Sequence, residues 1–564
     1  MSDRALTRLL VASASVSAFA PALFGGFAGW DDRALVLDNP ALRGLDLAHL
    51  RAMATSLLGG VWIPLTWLSL ALDRAVWGEG PGGFHLTNLL LHAVTALLFH
   101  EVCLVLFRRL GLRAPDRAAT LAALFFAAHP LRVETVAWIA ERKGVLSGAL
   151  WTAALLARLR AHESPRPARW QAASVAAFAL SLLAKPNGLT FTLVLLALEA
   201  GLLRRRPTVA GYAPYFALTA AAFGATWHAG RSAGVMGPSH PASLAWSAGQ
   251  ALYGLFFYPL MTLWPTGLSV YHPPRPWFGT WSWPLAAHAA ALAAVLLGLR
   301  AAGERARPVA VALACYALAL LPMLGLVSHG VAHAAAERFS YLPSMPLSAL
   351  LGAGFAAGGR AALVVAAAAL TAFGAASWRR CAAWDTPLAL WTAAAEARPS
   401  AYSLANQGAL LARDGRYEEA VPVLRASLAL SDAESVPHEA LGIALSRLGR
   451  EAEARAAWRA GLAAAPSALL KTLLDSSLAV ESHDLGLRAL RAGRPAEAER
   501  RFREAVRADP GLGAARVNLG NTLARRGLLA EAAAQYRAVR KEDRASKEAR
   551  SNLEQVEAAL RRVR

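Results

Sequence analysis

The first residues able to do chemistry are an adjacent pair of carboxylates, Asp31 and Asp32, directly after Trp30 and an apolar run at 9–29. Two like charges at a membrane boundary lose hydration and repel each other unless they are solvated or used. The pair reads as a general base, or a carboxylate that holds an acceptor hydroxyl. It reads equally as a charged flank that ends a helix. The second group is the run from His129 to Lys143, which contains Glu134, Trp138, Glu141 and Arg142. Glu134, Trp138 and Arg142 follow at intervals of four, so one continuous helix would put them on one face. Arg142 and Lys143 lie on the side where basic residues are scarce, which suits a phosphate or pyrophosphate partner. A surface network of Glu with Arg and Lys is the other reading.

Lys185 is a lone cation between two apolar runs, in Ala184-Lys185-Pro186-Asn187. A further group holds His329, His333, Glu337, Arg338 and Tyr341. His329 and His333 stand four apart and could offer two metal ligands. No HExxH surrounds them, so Arg338 as a phosphate cation is the better functional reading. His85, Asn88 and His92 share one face at the top of a long apolar run. Polar residues in a span face the bundle interior, for function or for interhelical hydrogen bonds. No phosphate-binding loop, nucleophile elbow, dinucleotide fingerprint or EF-hand is present. Cys103, Cys315 and Cys381 form no CxxC or zinc spacing.

The elements that must position these residues come from composition. Of 564 residues, 56% are hydrophobic and 17% charged, against about 25% charged in a soluble domain. About eleven apolar segments between residues 9 and 378 are near bilayer length. The first follows Arg4 and Arg8 without a small-residue cleavage site, so it reads as a span rather than a leader. Segment 244–264, with Pro259 and Pro265 beside it, reads as in-plane or re-entrant. Arginine loops at 108–117, 158–169, 204–206 and 300–307 belong in the cytoplasm. The candidate site residues then fall on the opposite side. The net charge of +20 follows this loop pattern, so nucleic acid is not an expected partner.

From residue 398 the chain becomes charge-dense, with 28 Lys and Arg against 21 Asp and Glu. A 34-residue period appears there. Gly408, Gly442, Gly486 and Gly520 share one position, and Ala420, Ala454, Ala498 and Ala532 another. Leu424, Trp458, Phe502 and Tyr536 share a third. Four units in phase predict tetratricopeptide repeats. The small residues let paired helices approach, and the large one is expected to fill the groove to the next unit. An extra segment, 467–478, separates units two and three. The helix near 546–562 is expected to cap the array. Such arrays bind proteins, or only space or dimerise a chain.

Several stretches together resemble the transmembrane and tetratricopeptide repeat-containing family and its bacterial relatives. They are Trp30-Asp31-Asp32 through Asp38-Asn39-Pro40, Trp62 through Ser69, His85 through His92, and the His129–Lys143 run. Ala184-Lys185-Pro186, Tyr271-His272-Pro273 and Glu337 through Pro343 complete the set. The family sits among the polytopic GT-C glycosyltransferases, beside protein O-mannosyltransferases. The resemblance implies an all-α fold: a GT-C-type transmembrane bundle over 1–380, then a repeat α-solenoid over 398–564. It implies a polyprenyl-phosphate sugar donor, with mannose one option for the sugar, as in the neighbouring protein O-mannosyltransferases, and a hydroxyl acceptor such as protein Ser or Thr. Transfer would occur on the non-cytoplasmic face. Asp31, with Asp32 beside it, would act as base or acceptor holder. Arg142, Lys143, Lys185 and Arg338 would hold the lipid phosphate, with His85, Asn88, His129, Glu134, Glu141 and Tyr341 around them. The chain departs from the family at Gly144, where Asp is common, and at Phe339, where Tyr is common. Loss of that carboxylate weighs against a divalent cation, which stays open as a cofactor but is not the favoured reading.

The expected location is a bacterial inner membrane, with the repeats in the periplasm recruiting a protein. Two other functions fit the same residues. One is a non-enzymatic membrane scaffold working through its repeats; the other is a lipid-carrier flippase.

Overall fold

The computed structural model describes residues 3–234, 244–325 and 333–563. His329 lies outside them. Every named element is helical, and the β contact among the described residues is a single bridge between His272 and Ala335. The chain forms two compact units, Met1–Pro399 and Ser400–Arg564. The helix Pro387–Ala397, beyond the expected end of the membrane domain at 380, lies in the first unit.

Proline sets many helix starts in the first unit. It occupies the first position of Pro64–Trp77, Pro81–Arg109, Pro115–Ala127 and Pro167–Ala184. Its fixed φ suits a first turn, and the N–H it lacks would have no intrahelical partner there. Pro81–Arg109 packs against Pro115–Ala127 and Arg142–Ala161, and the latter against Pro167–Ala184. Ala118, Ala119, Ala122 and Ala123 are fully buried where Pro115–Ala127 meets Ser344–Ala357. A Cβ on Gly352 would stand 2.4 Å from the Ala122 nitrogen. Small residues here let two backbones nearly touch.

Among the described residues, three helices are long and apolar enough to cross a membrane: Pro81–Arg109, Trp283–Met323 and Arg360–Trp384. This falls short of the eleven expected, for local reasons. The run at 9–29 is helical only over Asp3–Ser17 before a 3-10 turn, Ala20–Phe24, and an extended stretch. The run at 188–203 splits into a 3-10 turn, a short helix and the π-turn Ala197–Leu202. Segment 244–264 is a continuous helix, Leu244–Leu263, with Pro259 inside it.

The second unit is a succession of helix pairs. They are Ala401–Arg413 with Tyr417–Leu430, Ser435–Arg447 with Glu451–Ala464, Ala468–Arg491 with Pro495–Ala508, and Gly513–Arg525 with Leu529–Arg537. The helix Ser546–Val563 ends the array and buries Ala549 and Val556. Residues 467–478 are no separate insertion, because they extend the third pair's first helix to 24 residues. The large residue of each unit covers the glycine of its own unit. A Cβ on Gly408 would meet Leu424 at 2.5 Å, on Gly442 Trp458 at 2.1 Å, on Gly486 Phe502 at 2.5 Å, and on Gly520 Tyr536 at 2.4 Å. The sequence rule had aimed it at the next unit. Gly442→Ala should therefore force Trp458 out of place and cost about 1–3 kcal/mol. Thermal unfolding read on tryptophan fluorescence checks this; an unchanged midpoint would show that the pair can spread freely.

Candidate functional site

The loop that carries the acidic pair is tightly held. Gly29 and Trp30 both have positive φ, +76° and +50°. A tryptophan rarely adopts this conformation without support. The support is aromatic. Trp30 stacks on Trp138 at 5.5 Å between ring centroids, and Trp391 meets it at 5.3 Å. Trp384 stacks on the far side of Trp138 at 5.6 Å. The Gly26 N–H donates to both the backbone and side-chain oxygens of Asp385, each at 3.1 Å. The segment 384–391 thus clamps the stretch leading into Asp31.

The two carboxylates have separate roles. Asp32 is fully buried and accepts from the Ala28 N–H at 2.9 Å and the Ala140 N–H at 2.8 Å. It staples the loop that carries the acidic pair to the 129–143 run. Burial raises its pKa to about 7, against those two hydrogen bonds and Lys143. Expected as a catalytic pair, the two residues divide: Asp32 is committed to the backbone. Asp31 is partly exposed, and its carboxylate has no hydrogen bond or ion pair among the described residues. Arg338 is its cationic neighbour.

The expected helix face of Glu134, Trp138 and Arg142 does not form. The helix Val133–Ala137 stops at Trp138, whose ψ is +117°, and a new helix begins at Arg142. The break frees backbone carbonyls that need donors. Asn88 supplies them, donating to Val136 O at 3.2 Å and Trp138 O at 3.1 Å. Its own amide oxygen accepts from Arg142 Nε. Arg142 is wholly buried and also donates to Ser69 at 2.8 Å, Asp73 at 2.6 Å and Phe84 O at 2.8 Å. Asn88 and Arg142 therefore have their polar atoms occupied by protein, contrary to a role in phosphate binding. The same correction applies to His129, which bonds Thr262 O at 3.0 Å and caps Leu131 at 3.2 Å. His85 reaches Gly26 O at 3.2 Å.

Other expected residues do converge. A narrow cleft of about 20 Å³ is lined by Gly144, Ser147, Lys185, Asn187 and Arg338. Ala319, Met323, Phe339, Tyr341, Leu342 and Pro343 complete the lining. Lys185 Nζ donates to Glu141 at 2.8 and 3.1 Å, and Lys143 stands 3.5 Å from the same carboxylate. Burial would raise the Glu141 pKa, but Lys185, Lys143 and Arg338 outweigh it and hold it at about 2. Burial lowers the Lys185 pKa, and Glu141 restores part of the loss. Arg338 donates Nη1 and its backbone N–H to Glu134 and lies over the Trp30, Trp138 and Phe339 rings. Tyr341 bonds His92 at 2.9 Å. A Cβ on Gly148 would stand 2.5 Å from the Tyr341 ring. Glu337 pairs with Arg380 at 2.8 Å and stands 3.7 Å from His272. Among the described residues no three His, Cys, Asp or Glu side chains gather to hold a metal.

Two participants were missed in the sequence. Asp73 was visible in principle, because Ser69 and Asp73 are polar residues four apart on an apolar helix, facing a partner. Trp391 carried no local signal.

A tetratricopeptide-repeat family model matches residues 489–556. Human protein O-mannosyl-transferase TMTC3 is 28% identical over 183 residues, 30% of this chain and 19% of that protein. Human TMTC4 is 31% identical over 207 residues, 32% of this chain and 28% of that protein. Drosophila melanogaster Tmtc2 is 31% identical over 208 residues, 34% of this chain and 21% of that protein. The chain is similar to the TMTC protein O-mannosyl-transferases. The match spans less than a third of each of these relatives' lengths. Among solved structures, ArnT from Cupriavidus metallidurans bound to undecaprenyl phosphate aligns with a TM-score of 0.35 at 17% identity. That alignment covers 82% of this chain and 80% of ArnT.

Two predictions come from the buried contacts. Arg142→Lys should leave Asp73 and Asn88 without their partners and cost about 3–5 kcal/mol. Protease resistance in detergent should fall sharply; a folded variant with only a weaker donor affinity would return Arg142 to the binding set. Asp32 has a folded pKa of about 7 against an ordinary 3.8. Its contribution to stability is therefore full below pH ~4 and lost as pH rises through ~7. The wild-type melting midpoint should fall over that window relative to Asp32→Asn; parallel pH curves would remove the assignment.

Proposed function

We propose that the first unit is a membrane glycosyltransferase. It moves a sugar from a polyprenyl-phosphate donor to a hydroxyl acceptor on the non-cytoplasmic face. Mannose and protein Ser or Thr are the sugar and acceptor. The observation that carries this reading is Asp31: a partly exposed carboxylate, free of hydrogen bonds among the described residues, beside an arginine that lines the cleft. The sequence likeness to protein O-mannosyl-transferases supports it.

The acceptor oxygen attacks the anomeric carbon and forms the new glycosidic bond. The bond from that carbon to the donor phosphate oxygen breaks, and the phosphate leaves with the electron pair. Asp31 takes the hydroxyl proton. Arg338 and Lys185 face the charge that grows on the departing phosphate. Arg338 commits Nη1 to Glu134, which leaves Nη2 and Nε for a phosphate. The apolar wall of Met323 and Leu342 suits the first part of a lipid chain. The repeats hold the acceptor near the site, which raises its local concentration without new catalytic contacts. The membrane is a bacterial inner membrane, and the repeats lie in the periplasm.

A repeat scaffold is the second reading, favoured by the family model on residues 489–556. Transfer of mannose from a polyprenyl phosphate, in protein purified into nanodiscs, separates the two. Asp31→Asn should cut transfer by about 10²-fold or more with the fold intact. Full activity in that variant would sink the base assignment. No transfer by the wild type, with a phenotype lost only on removing 400–564, would favour the scaffold. Movement of the lipid without a glycosylated product would indicate a flippase.

A further inference from the structure

The second unit carries two ladders of charge, and they are treated differently by the fold. Counting each unit from residues 401, 435, 479 and 513, the nineteenth position is Glu419, Glu453, Glu497 and Glu531. Each of these glutamates is neutralised within the array. Arg416 pairs with Glu419 at 2.7 Å, Arg450 and Arg425 with Glu453 at 2.7 Å, Arg494 with Glu497 at 2.8 Å, and Arg503 with Glu531 at 3.0 Å.

The thirteenth position is Arg413, Arg447, Arg491 and Arg525, and all four are exposed. Arg413 meets Asp414 at 3.2 Å, a loose contact between sequence neighbours. Among the described residues, Arg447, Arg491 and Arg525 have no acidic group within ion-pair distance. Each of the four ends the first helix of its pair. A cation there complements the helix dipole. The dipole does not require the same last-turn position in every unit, nor does it account for one ladder being paired throughout and three of the four members of the other being left open.

Stacked repeats place equivalent positions along one edge of the array. We infer that the row Arg413, Arg447, Arg491 and Arg525 is a docking surface for an extended acidic polypeptide segment. Charge complementarity selects the partner, since the partner's carboxylates supply what the fold supplies to the glutamate ladder. The spacing selects its form. Equivalent helices stand no closer than about 10 Å, the diameter of a helix. An extended chain advances about 3.3 Å per residue. Acidic residues at every third position or wider therefore meet successive arginines, and a compact acidic loop would reach only one. Arginine can grip each carboxylate with two parallel hydrogen bonds. The inference rests on the repeat unit alone and stands apart from the transferase reading.

The test uses the full chain in phosphatidylcholine nanodiscs, which carry no net lipid charge. The probe is a fluorescein-labelled Glu/Ser peptide of about 20 residues, long enough to run roughly 60 Å when extended. Fluorescence anisotropy should show binding that weakens with salt. The combined Arg447→Gln, Arg491→Gln, Arg525→Gln variant should lose at least about tenfold in affinity, because each exposed ion pair contributes a few-fold. A control combining Arg500→Gln, Arg507→Gln and Arg550→Gln removes the same charge from other exposed sites and should stay within about twofold of wild type. Circular dichroism should be unchanged in both. Equal weakening in the two variants would reduce the effect to net charge and overturn the proposal. So would absence of peptide binding, or tighter binding to single-stranded DNA or to phosphatidylglycerol vesicles than to the peptide.

Discussion

The guanidinium of Arg142 is the contact on which the candidate site of the first unit depends. It is buried, and three elements meet on it: Asp73 and Ser69 from one helix, Asn88 and Phe84 from a second, and its own helix start. A buried charge is tolerated only when paired and fully hydrogen-bonded. Its planar fork can satisfy several acceptors at fixed angles, which a lysine cannot. Asn88 extends the same network to the carbonyls freed at Trp138. The break in the 129–143 run is therefore stabilised from outside the run. Without that network the backbone at 136–138 would hold unsatisfied polar groups in a dry interior.

From this anchor the acidic loop can be placed. Asp32 reaches Ala140, two residues before Arg142, and so ties the first loop to the anchored segment. Trp30 then lies on Trp138, and Trp391 and Asp385 close over the other side. Asp31 is left facing out of a loop whose neighbours are all committed. A carboxylate that is to accept a proton from an incoming hydroxyl has to be held without being occupied. In the proposed transfer, the division between Asp31 and Asp32 would meet that need with two adjacent residues of the same type.

The legible part of this arrangement follows from periodicity. The 34-residue repeat gave the helix pairs, because each small residue must face a large one across the pair, and the apolar runs marked most helices. The span count failed where proline and 3-10 or π turns interrupt an apolar run, as at Ala20–Phe24 and Ala197–Leu202. The four-residue spacing of Glu134, Trp138 and Arg142 misled for the same reason. Spacing implies a shared face only while the helix continues, and this one ends at Trp138. Residue type singled out Lys185, Arg338, Glu141 and Tyr341 among other candidates, and the structure places these four in one neighbourhood. Residue type could not tell which cations the protein itself consumes. Arg142 and Lys143 are adjacent in sequence, yet one is enclosed among four partners and the other stays partly exposed beside Glu141 and over Trp138.

Gly144 bears on what the cleft can accept. A Cβ there would stand 2.5 Å from Glu141 Oε2. An aspartate at this place, the residue the family resemblance leads one to expect, would press a second carboxylate against Glu141 and compete for Lys185. With glycine, Lys143, Lys185 and Arg338 face the two buried carboxylates Glu134 and Glu141. Arg338 also has Asp31 as a neighbour, so three carboxylates stand against the three cations, and an aspartate at 144 would add a fourth. The glycine thus shifts the balance of the site away from holding a cation and toward holding an anion.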